Sequence, residues 1–108
     1  MIPVKTYKFL NHASSAVTGR GTSFPYKGDL LLVASGISGD TLVVEGSLGG
    51  DWNTLRLVKI EDLSVVDDIQ ADGQYAVVCA DGFESIRVKV TTYSAGDISV
   101  VGKFTFGG

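Results

Sequence analysis

The sequence predicts an all-β fold: a single antiparallel β-sandwich of the Greek-key kind with an extended N-terminal segment. Three observations predict it. Short apolar stretches alternate with a period of two and are bounded by Gly- and Asp-rich turns. Glycine is abundant, at 14 of 108 residues against 2 prolines, which suits many tight turns. Long helical periodicity is missing. Short strands at this spacing mark an antiparallel sandwich or barrel.

Taken in order, Thr6 to Leu10 reads as an N-terminal strand. Ser14 to Gly28, SSAVTGRGTSFPYKG, is small, polar and Gly-rich, with Phe24 and Tyr26 about Pro25. It reads either as a loop pinned to the domain by those aromatics or as an extended arm that contacts another subunit. The chain therefore divides into an N-terminal strand and arm or loop, 1–28, and a sandwich domain, 29–108. Asp29 to Ser35, DLLLVAS, is a continuous apolar run that fits a central strand. In Thr41 to Leu48, the residues Leu42, Val44 and Leu48 share one face. Thr41, Val43, Glu45 and Ser47 share the other. A Gly49-Gly50 turn follows, with Trp52 just past its tip, and a second strand completes a hairpin.

Thr54 to Val66 is the one stretch with partial helical spacing. Its first part fits alternation equally well, so a strand is expected there, then a loop or short helical turn around Glu61 to Leu63. Gly73 to Ala80 runs between the turn signals Asp72-Gly73 and Asp81-Gly82. Ser85 to Tyr93 places Ile86, Val88 and Val90 inward and Arg87, Lys89 and Thr91 outward. Asp97 to Phe106 follows Ser94-Ala95-Gly96 and aligns Ile98, Val100, Phe104 and Phe106 against Ser99, Lys103 and Thr105. About seven or eight strands are expected in all.

Composition bounds the function. The chain has the length of one domain and buries roughly two thirds of its unfolded surface in one thin core. Its formal net charge is −3, so a nucleic-acid partner is not expected, because phosphate neutralisation needs a basic surface. The one cysteine, Cys79, gives no internal disulfide. The opening MIPVKTYKFLNHAS lacks the apolar core of a secretory leader. No run reaches about 18 apolar residues, so no membrane partner is expected. The expected setting is the cytosol, or a particle assembled there.

No constellation in the sequence points to catalysis, a cofactor or a metal. Nucleophilic catalysis needs a base held near the nucleophile, and the only histidine, His12, lies in a polar N-terminal stretch. Cys79 reads as a small apolar strand residue. His12 and Cys79 do not form a metal-ligand spacing. Asp67, Asp68, Asp72 and Asp81 fall near turns, and Asp40 and Asp51 flank the hairpin. Turn chemistry explains them better than a glycosidase pair or a calcium loop. Neither Gly19-Arg20-Gly21 nor Gly46 to Gly50 leads into a helix, so neither cradles a phosphate. Trp52 reads first as a cover on the sandwich and second as a contact residue.

The run Val43-Val44-Glu45-Gly46-Ser47-Leu48, then Gly49-Gly50-Asp51, Trp52 and Leu55, resembles a hairpin of small β-sandwich proteins encoded among bacteriophage structural genes. The second half continues the likeness through Gly73-Gln74-Tyr75, Ser85 to Val90, and Tyr93-Ser94-Ala95-Gly96 before Ile98 to Gly102. It covers roughly residues 29–104 and departs from the pattern in the charged Lys59 to Asp68 segment. The hairpin also resembles discoidin-type modules, for which this chain is short.

The phage resemblance implies a non-enzymatic virion protein made in the host cytoplasm, foremost a capsid decoration (cement) protein. Its partners would be the major capsid protein or other virion subunits, with self-association as a further mode. The partner-binding residues expected are Phe24, Pro25, Tyr26 and Trp52. The alternative is a carbohydrate-binding or tail- or fibre-associated module, in which Trp52 with Tyr93 or Phe83 forms a glycan platform. A ring-forming tail-tube or connector subunit is a third reading.

Overall fold

Period-two patterning becomes strand faces directly. A computed structural model describes residues 6–19, 21, 29–77 and 83–105, and among them nine strands form. They are β1 Thr6–Ala13, β2 Asp29–Ser35, β3 Thr41–Ser47, β4 Asn53–Thr54 and β5 Leu57–Lys59. β6 Ser64–Val66, β7 Gly73–Val77, β8 Ser85–Thr92 and β9 Ile98–Thr105 complete the set. One sheet has the order β1-β9-β2-β7-β5-β6 and the other β4-β3-β8, with every pairing antiparallel. The chain is all-β, and its strands interleave between two sheets rather than following one another in a meander. The charged middle segment is two short strands joined by a turn at 60–63, and no helix occurs among the described residues.

The core lies between the sheets. Leu30, Leu32 and Ala34 of β2, Tyr75 and Val77 of β7, and Ile98 and Val100 of β9 face Leu42 and Val44 of β3 and Ile86, Val88 and Val90 of β8. Burying each large aliphatic side chain contributes about 1.5–3 kcal/mol before chain entropy is set against it. The inward positions expected for β8 are the buried ones. On β3 the buried series is Leu42, Val44 and Gly46, and the strand then ends. Leu48 is therefore not inward, as alternation predicted, but 70% exposed in the hairpin turn. Ser47 closes that turn: its hydroxyl accepts from the Gly49 N–H at 3.0 Å and donates to the Gly50 carbonyl at 3.2 Å.

The N-terminal strand belongs to the larger sheet. β1 pairs with β9 from Thr6↔Lys103 to Ala13↔Ile98, with register shifts on either side of Leu10, and buries Phe9 and Leu10. Gly102 makes the space. A Cβ there would lie 2.5 Å from Phe9 Cε2 and 2.9 Å from Leu32 Cδ2, well inside the optimum of about 3.5–4.0 Å. Residues 17–19 then run along β8: the Gly19 N–H donates to the Val88 carbonyl and the Val90 N–H to the Val17 carbonyl, both at 2.8 Å. The β8 edge of the smaller sheet is thereby covered.

Candidate functional site

Alternation that turns Ile86 and Val88 inward must turn Ser85, Arg87 and Lys89 outward. The pairing Glu45↔Arg87 sets opposite charges side by side on that outer face. Arg87 Nε donates to Glu45 Oε1 at 2.8 Å, with the side chains 23% and 12% exposed. Trp52, two residues before Thr54, which pairs with Glu45, lies on the same face. The guanidinium carbon of Arg87 sits 4.1 Å from the Trp52 ring centroid, a cation–π stack. Gly21 closes the cluster from above, since a Cβ on it would lie 2.8 Å from Trp52 Cη2. Trp52 thus covers an ion pair rather than the apolar core, and it seats the chain just before Phe24, Pro25 and Tyr26.

Those three residues lie outside the described residues, as do Cys79, Asp81 and Phe106. The aromatics grouped with Trp52 as a glycan platform are placed elsewhere. Phe83 packs on the inner face, where a Cβ on Gly46 would lie 2.8 Å from its Cδ1. Tyr93 packs against the core and donates its hydroxyl to the Gly96 carbonyl at 2.7 Å. The structure brings neither onto the Trp52 face.

The acidic residues separate into distinct roles. Asp40, read from sequence as a turn residue, is 1% exposed. Its carboxylate accepts from the Ser38 N–H at 2.8 Å and from the Ser94 N–H, tying two turns together. Burial pushes its pKa up, but hydrogen bonds from the backbone of Ser38, Ser94, Gly96 and Ala95 outweigh it and leave the group below its ordinary 3.8. Asp72 accepts from the Ile37 N–H at 2.8 Å. Asp62 accepts from the Ser64 hydroxyl at 2.6 Å and the Ser64 N–H at 3.0 Å, which holds its pKa low. His12 is a β1 residue with φ 54°, and its Nδ1 lies 3.1 Å from Asp97 Oδ2 on an exposed surface. No group of three or more His, Cys, Asp or Glu suited to a metal ion occurs among the described residues.

Sequence reasoning missed a second polar site. At the β5–β7 end, Lys59, Val66, Asp68, Gln70, Ala71 and Tyr75 line an open pocket of about 280 Å³. Tyr75 donates its hydroxyl to the Ala71 carbonyl at 2.8 Å. The Gln70 amide lies 3.1 and 3.2 Å from the two Asp68 carboxylate oxygens. Burial, and after it the negative charge of Asp72, Glu61 and Asp68, raises the Tyr75 pKa. The signal was present as charge: Glu61, Asp62, Asp67, Asp68 and Asp72 outnumber Arg56 and Lys59 by five to two. That net −3 equals the whole chain's.

The fold and these outward sites define a small two-sheet antiparallel sandwich with polar clusters built on strand faces. This fold is shared with two solved structures of phage or exported origin. The SPBc2 prophage-derived protein YomS is similar over 94% of this chain and 92% of its own, with 17% identity and a TM-score of 0.84. The PBSX exported protein XepA is similar over 94% of this chain, with 22% identity and a TM-score of 0.85, and the chain spans 37% of its length. No protein-family model matches the sequence, and no curated protein sequence matches it.

Proposed function

We propose that this chain is a phage-encoded, non-enzymatic virion protein, and in its finer form a capsid decoration protein that binds the head surface. One observation carries the reading: the match to the prophage-derived YomS runs through nearly the whole of both chains. The phage-type hairpin at Val43 to Leu55 supports it. The contact surface is Trp52 with the segment holding Phe24, Pro25 and Tyr26, which enters at Gly21 against the Trp52 ring. Apolar burial at about 25 cal/mol per Å² over a standard interface of about 1,200–2,000 Å² supplies the energy, less association costs.

The test must leave β1 intact, because deleting residues 1–28 removes Phe9 and Leu10 from the core. The double substitution Phe24→Ser and Tyr26→Ser serves instead. The folded variant is expected to lose binding to purified heads in a sedimentation assay. Undiminished binding of that variant sinks the arm. Absence of wild-type binding to heads sinks the decoration role.

A further inference from the structure

The larger sheet ends on β6, which among the described residues pairs with β5 alone. Exposed sheet edges are normally blunted by bulges, charges or cover. The opposite edge follows that rule, since β1 carries register shifts and exposed Lys8, Asn11 and His12. β6 is short and flanked by Asp62, Asp67 and Asp68, yet its outward side chain is Val65, 62% exposed, beside Leu63, 72% exposed, in the preceding turn. Val65 also ends an apolar row on the outer face. The pairings Leu31↔Ala76, Val58↔Ala76 and Val58↔Val65 place those four side chains in line across the sheet.

On the other face of the same edge lies the polar pocket, which holds both the Asp68 carboxylate and the Lys59 ammonium. Lys59, Val66 and Tyr75 point that way, because Lys59 pairs with Tyr75 and Leu57, a core residue, pairs with Val66. A strand added beside β6 would therefore place one side chain next to Val65, its sequence neighbours next to Ser64 and Val66 on the pocket face, and a further residue of that face level with Asp68. Lys59 reaches towards Glu61 at 3.8 Å, and Arg56 towards Asp67 at 3.4 Å. Lys59 is thus matched by Glu61, and Asp72, Glu61 and Asp68 together set a negative field at Tyr75. A second copy is a poor occupant. Antiparallel self-pairing centred on Val65 sets Asp62 against Asp68, and like charges directly opposite repel.

We propose that the β6 edge and the adjoining pocket dock an extended segment of another protein as an added strand, with apolar residues alternating with lysine or arginine. The apolar residues extend the row from Leu31 to Val65. The basic residue enters the pocket, meets the Asp68 carboxylate and lies along the Tyr75 ring. The inference holds independently of head binding.

The test uses the full chain, labelled for NMR, titrated with a short synthetic peptide of alternating valine and lysine. A second peptide has glutamate in place of lysine. Saturable shifts are expected at Leu63 to Val66 and at Asp68 to Ala71, with slowed amide exchange at Ser64 to Val66. Added salt should weaken binding. Asp68→Lys should weaken the lysine peptide about fivefold or more, while leaving far-UV circular dichroism and Trp52 fluorescence unchanged. Four results each overturn the proposal: equal binding of the glutamate peptide, shifts confined to another edge, an unchanged affinity in Asp68→Lys, or no saturable binding of the lysine peptide, with or without a concentration-dependent dimer through β6.

Discussion

Replacing Gly102 with alanine probes how β1 sits in the sandwich. The new methyl would lie 2.5 Å from Phe9 Cε2, 2.9 Å from Leu32 Cδ2 and 3.1 Å from Leu30 Cδ1. Against an optimum of about 3.5–4.0 Å the worst overlap is roughly 1 Å. Gly102 is a β9 residue paired with Tyr7 and Leu32, so the backbone has little room to give. Overpacking of this size costs about 1–3 kcal/mol. Phe9→Leu removes Cε2 and costs about 1–2 kcal/mol alone. In the double variant the leucine leaves space for the methyl, so the combined loss falls short of the sum by about 1 kcal/mol or more. Urea unfolding followed by Trp52 fluorescence reads each value. With a slope of about 1.5 kcal/mol/M, Gly102→Ala lowers the midpoint by about 1 M. Additivity of the two changes within about 0.5 kcal/mol would refute the placement of Phe9 on Gly102.

Two further outcomes are expected. Glu45→Ala leaves the part-buried Arg87 without its carboxylate and lowers stability by about 1–3 kcal/mol. Glu45→Ala with Arg87→Ala loses less than the two single changes summed, and additivity in urea unfolding counts against the pair. Asp40 has a folded pKa below its ordinary 3.8, so its contribution is present above about pH 3.8 and is lost as pH falls through the lower folded value. Asp40→Asn is expected to be less stable near neutrality and to show a shallower acid loss in thermal unfolding below pH 4. An unchanged acid slope would count against the buried carboxylate.

Much of the fold was legible because burial on one side of a sheet forces alternation. Ile86, Val88 and Val90 declared their face without any knowledge of their neighbours. β2 showed its bounds through the contrast between apolar DLLLVAS and the glycines around it. Leu48 misled because alternation says nothing about where the strand stops, and Ser47 stops it through hydrogen bonds within the turn. Asp40 was read as a turn residue, which it is. Its burial depends on Ser94 and Gly96, more than fifty residues away along the chain. The Arg87, Glu45 and Trp52 cluster needs the register of three strands. Charge and aromatic content were visible, but the pairing that joins them was not. The acidic end was visible as a run of aspartates, and only the order of strands shows that it borders the last strand of the larger sheet among the described residues.

The proposed function puts this chain on the head surface of a virion. Quantitative mass spectrometry on gradient-purified phage particles, separated into heads and tails, tests it most directly. The expected result is this chain in the head fraction at a fixed ratio to the major capsid protein, retained after washing in moderate salt. Its absence from purified particles, with the protein confined to the soluble lysate, would contradict the account.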